Sequence, residues 1–295
     1  MSIFTGSGVA IVTPFNEDQS VNYNKLEELI DFQINGGTDC IVICGTTGEA
    51  STLSDEEQIE CIKVTVDKTN GRVPVIAGAG SNDTVHGIEL AKKAQGVGAD
   101  GLLLVTPYYN KTTQKGLIRH YSDYATATDL PIMIYNVPSR TGLNIMPQTA
   151  AELSKIETIV AIKEASGNIG QIMDMVARCE GRLDLYSGND DQILPLLSLG
   201  GKGVVSVIAN ILPQETHDIV AKYLEGDREG SLRLASNLHQ LMNSMFCETN
   251  PIPVKAAMNL MGMEAGPTRR PLYPMEPENL ELMKQAMLNY GVKLA

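Results

Sequence analysis

Eight short runs of almost wholly apolar, mostly β-branched or small residues recur along the chain, and they constrain its fold more than any other feature. They are GVAIVTP (8–14), CIVICG (40–45), VPVIAGAG (73–80), GLLLVTP (101–107), PIMIYNVP (131–138), IVAIKEAS (159–166), LDLYSGND (183–190) and GVVSVIAN (203–210). They do not alternate apolar with polar residues, so they offer no face to water. Such runs suit parallel strands covered by helices on one side and by a core on the other. Helix-like stretches lie between them, at 54–69, 84–97 and 168–179 among others. Ser54 followed by Glu57 reads as a capping box, whose hydroxyl and carboxylate satisfy orphan amides at a helix start. Eight strands alternating with helices predict a (β/α)8 TIM barrel. A doubly wound open sheet would use fewer strands and carry a nucleotide site at its switch point. On this reading a barrel domain occupies 1–225, and a helical C-terminal segment, punctuated by Pro251, Pro253 and Pro267, occupies 226–295.

Charge narrows the partners. The formal net charge is -12, and an acidic surface repels phosphate backbones and anionic headgroups, so neither nucleic acid nor membrane is expected. The same field opposes a keto acid, so a site for one needs local cations. The N-terminal MSIFTGSGVAIVTPF lacks the charged start and long apolar stretch of a secretory signal. No apolar run approaches the ~20 residues of a membrane span. Cys40, Cys44, Cys61, Cys179 and Cys247 are odd in number and match no zinc spacing, and Cys40 and Cys44 read as small buried hydrophobes. A reduced, cytoplasmic protein is expected. Gly96, Gly98 and Gly101 spell GxGxxG, but the motif follows a helix and precedes a strand, the wrong context for a dinucleotide. They read as an αβ turn.

Catalytic groups of such a barrel sit at the C-terminal ends of its strands. Those ends offer Thr13, the loop Gly45-Thr46-Thr47-Gly48-Glu49, Thr106 to Asn110, Tyr135 to Arg140, Lys163, Gly188 to Asp191 and Ser206 to Asn210. Lys163 lies among small and apolar residues, where desolvation disfavours an ammonium. Either it pairs with a structural carboxylate across the barrel, or its pKa falls and the free amine can attack a carbonyl. Tyr135, one strand earlier, can pass protons to and from a carbinolamine, or can be a half-buried core tyrosine. The GTTGE loop supplies amides and hydroxyls for a carboxylate. Arg140 can grip another in a bidentate fork, or can be a solvated surface charge. His86, His120, His217 and His239 form no metal-binding pair. The adjacent Asp190 and Asp191 diverge, and a helix-capping role is expected for them rather than a glycosidase pair.

The motifs GTTGE (45–49), YNVPSRTG (135–142), IKEASG (162–167) and SGND (187–190), with ETNPIPVKAAMNLMG (248–262), resemble in order and spacing the pyruvate-dependent class I aldolases and lyases, the family of N-acetylneuraminate lyase. The resemblance covers nearly the whole chain. It implies a Schiff base between Lys163 and pyruvate, carbon–carbon bond chemistry, and no metal or organic cofactor. The arginine of VPSRTG and the segment TPYYNK (106–111) look like the members that condense pyruvate with aspartate 4-semialdehyde in lysine biosynthesis. Those two substrates are the partners it implies. By the same resemblance Tyr135, Thr46 and Tyr109 form a proton relay, with Tyr109 supplied across an interface by a neighbouring subunit. Arg140 would hold the semialdehyde carboxylate and the amides of Thr46 and Thr47 the pyruvate carboxylate, while Gly188 and Ile208 line the pocket. The implied assembly is a homo-oligomer, at least a dimer and usually a tetramer built as a dimer of dimers.

Lysine-inhibited members carry histidines on the helix after GTTGE and an acid on the helix after the third strand. Here Asp55, Gln58 and His86 take those places, beside Ser51, Asn82 and Tyr108. The altered charge pattern predicts lysine inhibition that is weak or absent. Two alternatives stay open: a lyase of the same chemistry acting on sialic acid or a 2-keto-3-deoxy sugar acid, and a non-catalytic barrel that binds keto acids. Lys163, Tyr135 and GTTGE argue against the second, because a sensor needs no nucleophile.

Overall fold

The computed structural model describes residues 2–295. Eight parallel strands close a barrel in chain order: β1 (Gly6–Ala10), β2 (Cys40–Ile43), β3 (Val75–Gly78), β4 (Gly101–Val105), β5 (Ile132–Asn136), β6 (Ile159–Glu164), β7 (Asp184–Ser187) and β8 (Gly203–Ser206), with β8 pairing back onto β1. This is the TIM barrel that the strand count predicted.

Seven of the eight expected runs contain their strand, the first starting at Gly8 where β1 starts at Gly6, and every run overshoots the strand's C-terminal end by two to four residues. The physical reason lies in burial. Residues leaving the strands, among them Ile11, Val12, Ala79, Thr106, Val137 and Ala165, stay buried under the loops at the barrel mouth. They therefore need apolar or hydrogen-bonded side chains although the ladder has ended. Within the strands, alternate side chains take opposite sides. Val42, Met133, Tyr135 and Ala161 fill the lumen, while Ile41, Ile43, Ile134 and Ile162 pack under the helices. Both sides are dry, which is why the strands show no polar alternation. Phe4, just before β1, stacks on Tyr186 of β7 with ring centroids 4.5 Å apart, and the Tyr186 hydroxyl donates to the Phe4 carbonyl. The pair closes the N-terminal end of the lumen.

Local signals placed the three helices expected at 54–69, 84–97 and 168–179 to within a residue. The capping box forms both halves: Glu57 N–H donates to Ser54 Oγ at 3.2 Å and Ser54 N–H to Glu57 Oε2 at 3.0 Å, opening the helix Asp55–Thr69. The helix Thr84–Gly96 ends into a turn where Gly98 takes φ +93°, and β4 starts at Gly101. A left-handed residue at that turn suits glycine, so the three glycines make an αβ connection.

After the helix Pro213–Leu224, three helices follow at Arg228–Ser244, Ile252–Leu260 and Pro277–Tyr290. Arg228–Ser244 packs on both Pro213–Leu224 and Pro277–Tyr290. Between the last two helices the chain returns to the barrel mouth, where Phe15 N–H donates to the Ala265 carbonyl at 3.2 Å. Among the described residues no helix is long and apolar enough to cross a membrane.

Candidate active site

The pairing of β5 with β6 sets Tyr135 beside Lys163 in register, and both side chains enter the lumen. Lys163 Nζ lies 4.3 Å from the Tyr135 ring centroid, and the lysine is only 5% exposed. Among the described residues no ion pair reaches its amine, so the structural-carboxylate alternative does not apply to it. Burial pulls the Lys163 pKa down to about 8; the Asp190 charge opposes this and the Arg140 charge adds to it. Burial likewise pushes the Tyr135 phenol up to about 12, against the pull of Arg140. A neutral amine is thus accessible near neutral pH, beside a phenol that keeps its proton.

Gly188 is needed where it stands. A Cβ there would lie 3.0 Å from Lys163 Cε and 2.9 Å from Ala165 Cβ, so any side chain would push on the lysine stem. Asp190 corrects an expectation. It does not cap the helix that follows it; its buried Oδ2 accepts the amides of Val207 at 3.1 Å and Ile208 at 2.9 Å, at the start of the short turn Ile208–Asn210, tying the segment after β8 to the one after β7. Burial raises its carboxyl pKa, with those hydrogen bonds opposing the rise. Ile208 itself is fully buried in the helix-facing core and is joined to Asp190 by this backbone link.

The GTTGE loop is held from several sides. Thr13 Oγ1 donates to the Gly48 carbonyl at 2.7 Å, and Asn250 Nδ2 donates to Thr47 Oγ1 at 2.9 Å. Arg140 Nη2 donates to the Asn250 carbonyl at 3.2 Å, so Asn250 links the two groups expected to hold carboxylates.

A cleft of about 530 Å³ opens at the barrel mouth and is walled by Thr46, Tyr135 and Arg140. All six residues of the expected effector region, Ser51, Asp55, Gln58, Asn82, His86 and Tyr108, line the same cleft. Lys163, Thr47, Gly188 and Ile208 are not in its wall. Asp55 accepts from His86 Nε2 at 2.9 Å, and this bond, with Lys93 behind it, holds its carboxyl below the usual range. Gln58 is turned inward, donating to the Gly78 carbonyl at 2.6 Å. Tyr109 stands apart at 91% exposed, with φ 65°, a conformation bulky residues rarely adopt.

Four groups escaped sequence reasoning. Asn250 and the buried Lys255 lie in the quoted segment 248–262, but no role was assigned to them. The signal for Lys255 was its place on the buried face of Ile252–Leu260, with Val254 and Met258. Glu49 was read only as part of a loop, yet it is buried against that lysine. Glu164, which also went unassigned, is held by Asn136 Nδ2 at 3.0 Å and Ser166 N–H at 2.6 Å.

Comparison with known proteins gives a consistent answer. A family described as the Dihydrodipicolinate synthetase family matches residues 3–289. The chain is 60% identical over 293 residues to the 4-hydroxy-tetrahydrodipicolinate synthase of Lachnoclostridium phytofermentans, covering 99% of this chain and 100% of that one. A crystal structure of a dihydrodipicolinate synthase superposes with a TM-score of 0.96 at 46% identity, over 98% of this chain and 100% of that one. That of Cyanidioschyzon merolae with lysine bound gives 0.96 at 40% identity, over 99% and 100%.

Proposed function

The chain belongs to the dihydrodipicolinate synthetase family, and from that premise we propose that it condenses pyruvate with L-aspartate 4-semialdehyde to form 4-hydroxy-tetrahydrodipicolinate, a step of lysine biosynthesis. The observation that carries the mechanism is the buried, unpaired Lys163 amine held over the Tyr135 ring. The neutral amine adds to the pyruvate ketone and water leaves, giving an iminium. That iminium is an electron sink, so C3 loses a proton and the enamine attacks the semialdehyde aldehyde. The substrate amine then adds at C2 and displaces Lys163, closing the ring. Tyr135, with Thr46 and a partner's copy of Tyr109, carries protons between these intermediates. Thr46 and Thr47 hold the pyruvate carboxylate, and Arg140 at the cleft wall supplies the cation that the acidic surface lacks.

The direct test is incubation with pyruvate and borohydride followed by peptide mass mapping. A pyruvate-derived mass on the peptide containing Lys163 is expected. A folded protein with no adduct would remove the mechanism.

The exposure of Tyr109, with its ring turned outward, supports an assembly in which it enters a neighbour's site, at least a dimer and by the family resemblance a tetramer. Sedimentation reads its mass. Placement in the cytoplasm rests on five free cysteines in a chain without disulfides. For the effector region, Asp55 is already engaged by His86 and Lys93, so an added lysine ammonium would compete with two cations for that carboxylate. Half-inhibition above about 1 mM lysine, where binding is worth only about 4 kcal/mol, is the expected result of a steady-state titration. Strong inhibition below that concentration would contradict this reading.

A further inference from the structure

A second buried lysine lies behind the site. Lys255 and Glu49 are each 2% exposed at the side chain and pair at 3.0 Å. All three Lys255 protons are committed, to Glu49 Oε1 at 3.0 Å, the Thr13 carbonyl at 3.0 Å and the Pro267 carbonyl at 2.6 Å. The other Glu49 oxygen accepts the Arg269 amide at 2.8 Å. The Phe15 ring has Lys255 Nζ 4.2 Å and Arg269 Cζ 4.3 Å from its centroid. Three segments distant in sequence thus meet on one amine: the end of the β1 run, the last residue of GTTGE, and the returning C-terminal chain. Glu49 sits at φ 53°, in the left-handed region that a side chain with a Cβ holds at a cost.

A buried ion pair is rarely worth more to stability than well-packed apolar residues of the same size, so stability alone gives no reason for this one. What it does specify is geometry. The Lys255 amine and both Glu49 oxygens are engaged by protein groups, which leaves them no part in holding substrate. We propose that the Lys255–Glu49 pair is a positioning device that clamps the GTTGE loop, so that the Thr46 and Thr47 groups are aimed at the pyruvate carboxylate. The proposal rests on the reading that this loop binds pyruvate. A loop end freed by removing the pair lets Thr46 and Thr47 shift, and shifts of an ångström in a positioning group can cost about a hundredfold in rate.

The test uses the full chain with both charges removed together, Lys255→Met with Glu49→Gln, which avoids stranding one buried charge. Three quantities are read. The pyruvate concentration that half-saturates borohydride trapping on Lys163 is expected to rise about tenfold. KM for the semialdehyde, whose carboxylate is held elsewhere, is expected to change less than about twofold. Amide hydrogen exchange in residues 45–49 is expected to quicken while that of β5 and β6 stays as in the parent. A folded double variant with parental half-saturation for pyruvate overturns the proposal. So does an equal rise for both substrates, which would mean general loosening. If the double variant does not fold, Glu49→Gln alone, which keeps volume and one acceptor, carries the same expectations. Should the parent chain itself trap no pyruvate, the catalytic reading fails, and exchange then decides the clamp: unchanged exchange at 45–49 overturns it.

Discussion

Lys163→Ala is expected to remove the trapped pyruvate adduct entirely and to lower turnover by at least about 10⁴-fold, since a nucleophile acting as a unit with its partners has no substitute in the site. The parent shows the physical origin through pH. Only the neutral amine attacks, and burial lowers the Lys163 pKa from 10.5 to about 8. At pH 7 about one amine in ten is then neutral, against about one in three thousand for an unperturbed lysine. The rate of adduct formation therefore rises about tenfold per pH unit below pH 8 and levels off above it, as read by timed borohydride quenching. A rise that continues toward pH 10 would show that the barrel does not desolvate this amine.

Tyr135→Phe is expected to lower kcat by about 10²- to 10⁴-fold, the usual worth of a placed proton donor and acceptor. The ring that lies against Lys163 Nζ is retained, so the packing and the amine's pKa stay close to the parent's. Adduct formation on Lys163 slows but does not vanish, because the nucleophile is intact. Single-turnover kinetics separates the two effects. A fall smaller than about tenfold would reduce Tyr135 to a wall of the site and pass proton transfer to Thr46 or to solvent.

Much of this was legible in the linear chain because the signals are local. A barrel strand dry on both sides must be apolar throughout, so eight such runs announced the fold. The Ser54–Glu57 cap and the Gly98 turn were readable for the same reason, since each is completed by neighbours in sequence. Lys163 stood out because a lysine within a buried strand conflicts with its surroundings, and such conflict marks function. The motif resemblance then supplied roles that spacing could not.

Other features exist only after folding. Asp190 looked like a cap for the helix that follows it, yet its Oδ2 accepts amides 17 and 18 residues away, after β8. Asn250 bonds Thr47 across 203 residues, and Lys255 bonds Glu49 across 206. Nothing local names their partners, because hydrogen bonds and ion pairs between distant segments leave no periodicity. The chain by itself determined which residues must be buried, and hence the barrel and the lysine enclosed in it. Closure of β8 on β1, and the return of the C-terminal segment over the mouth, decided which buried charges would face each other.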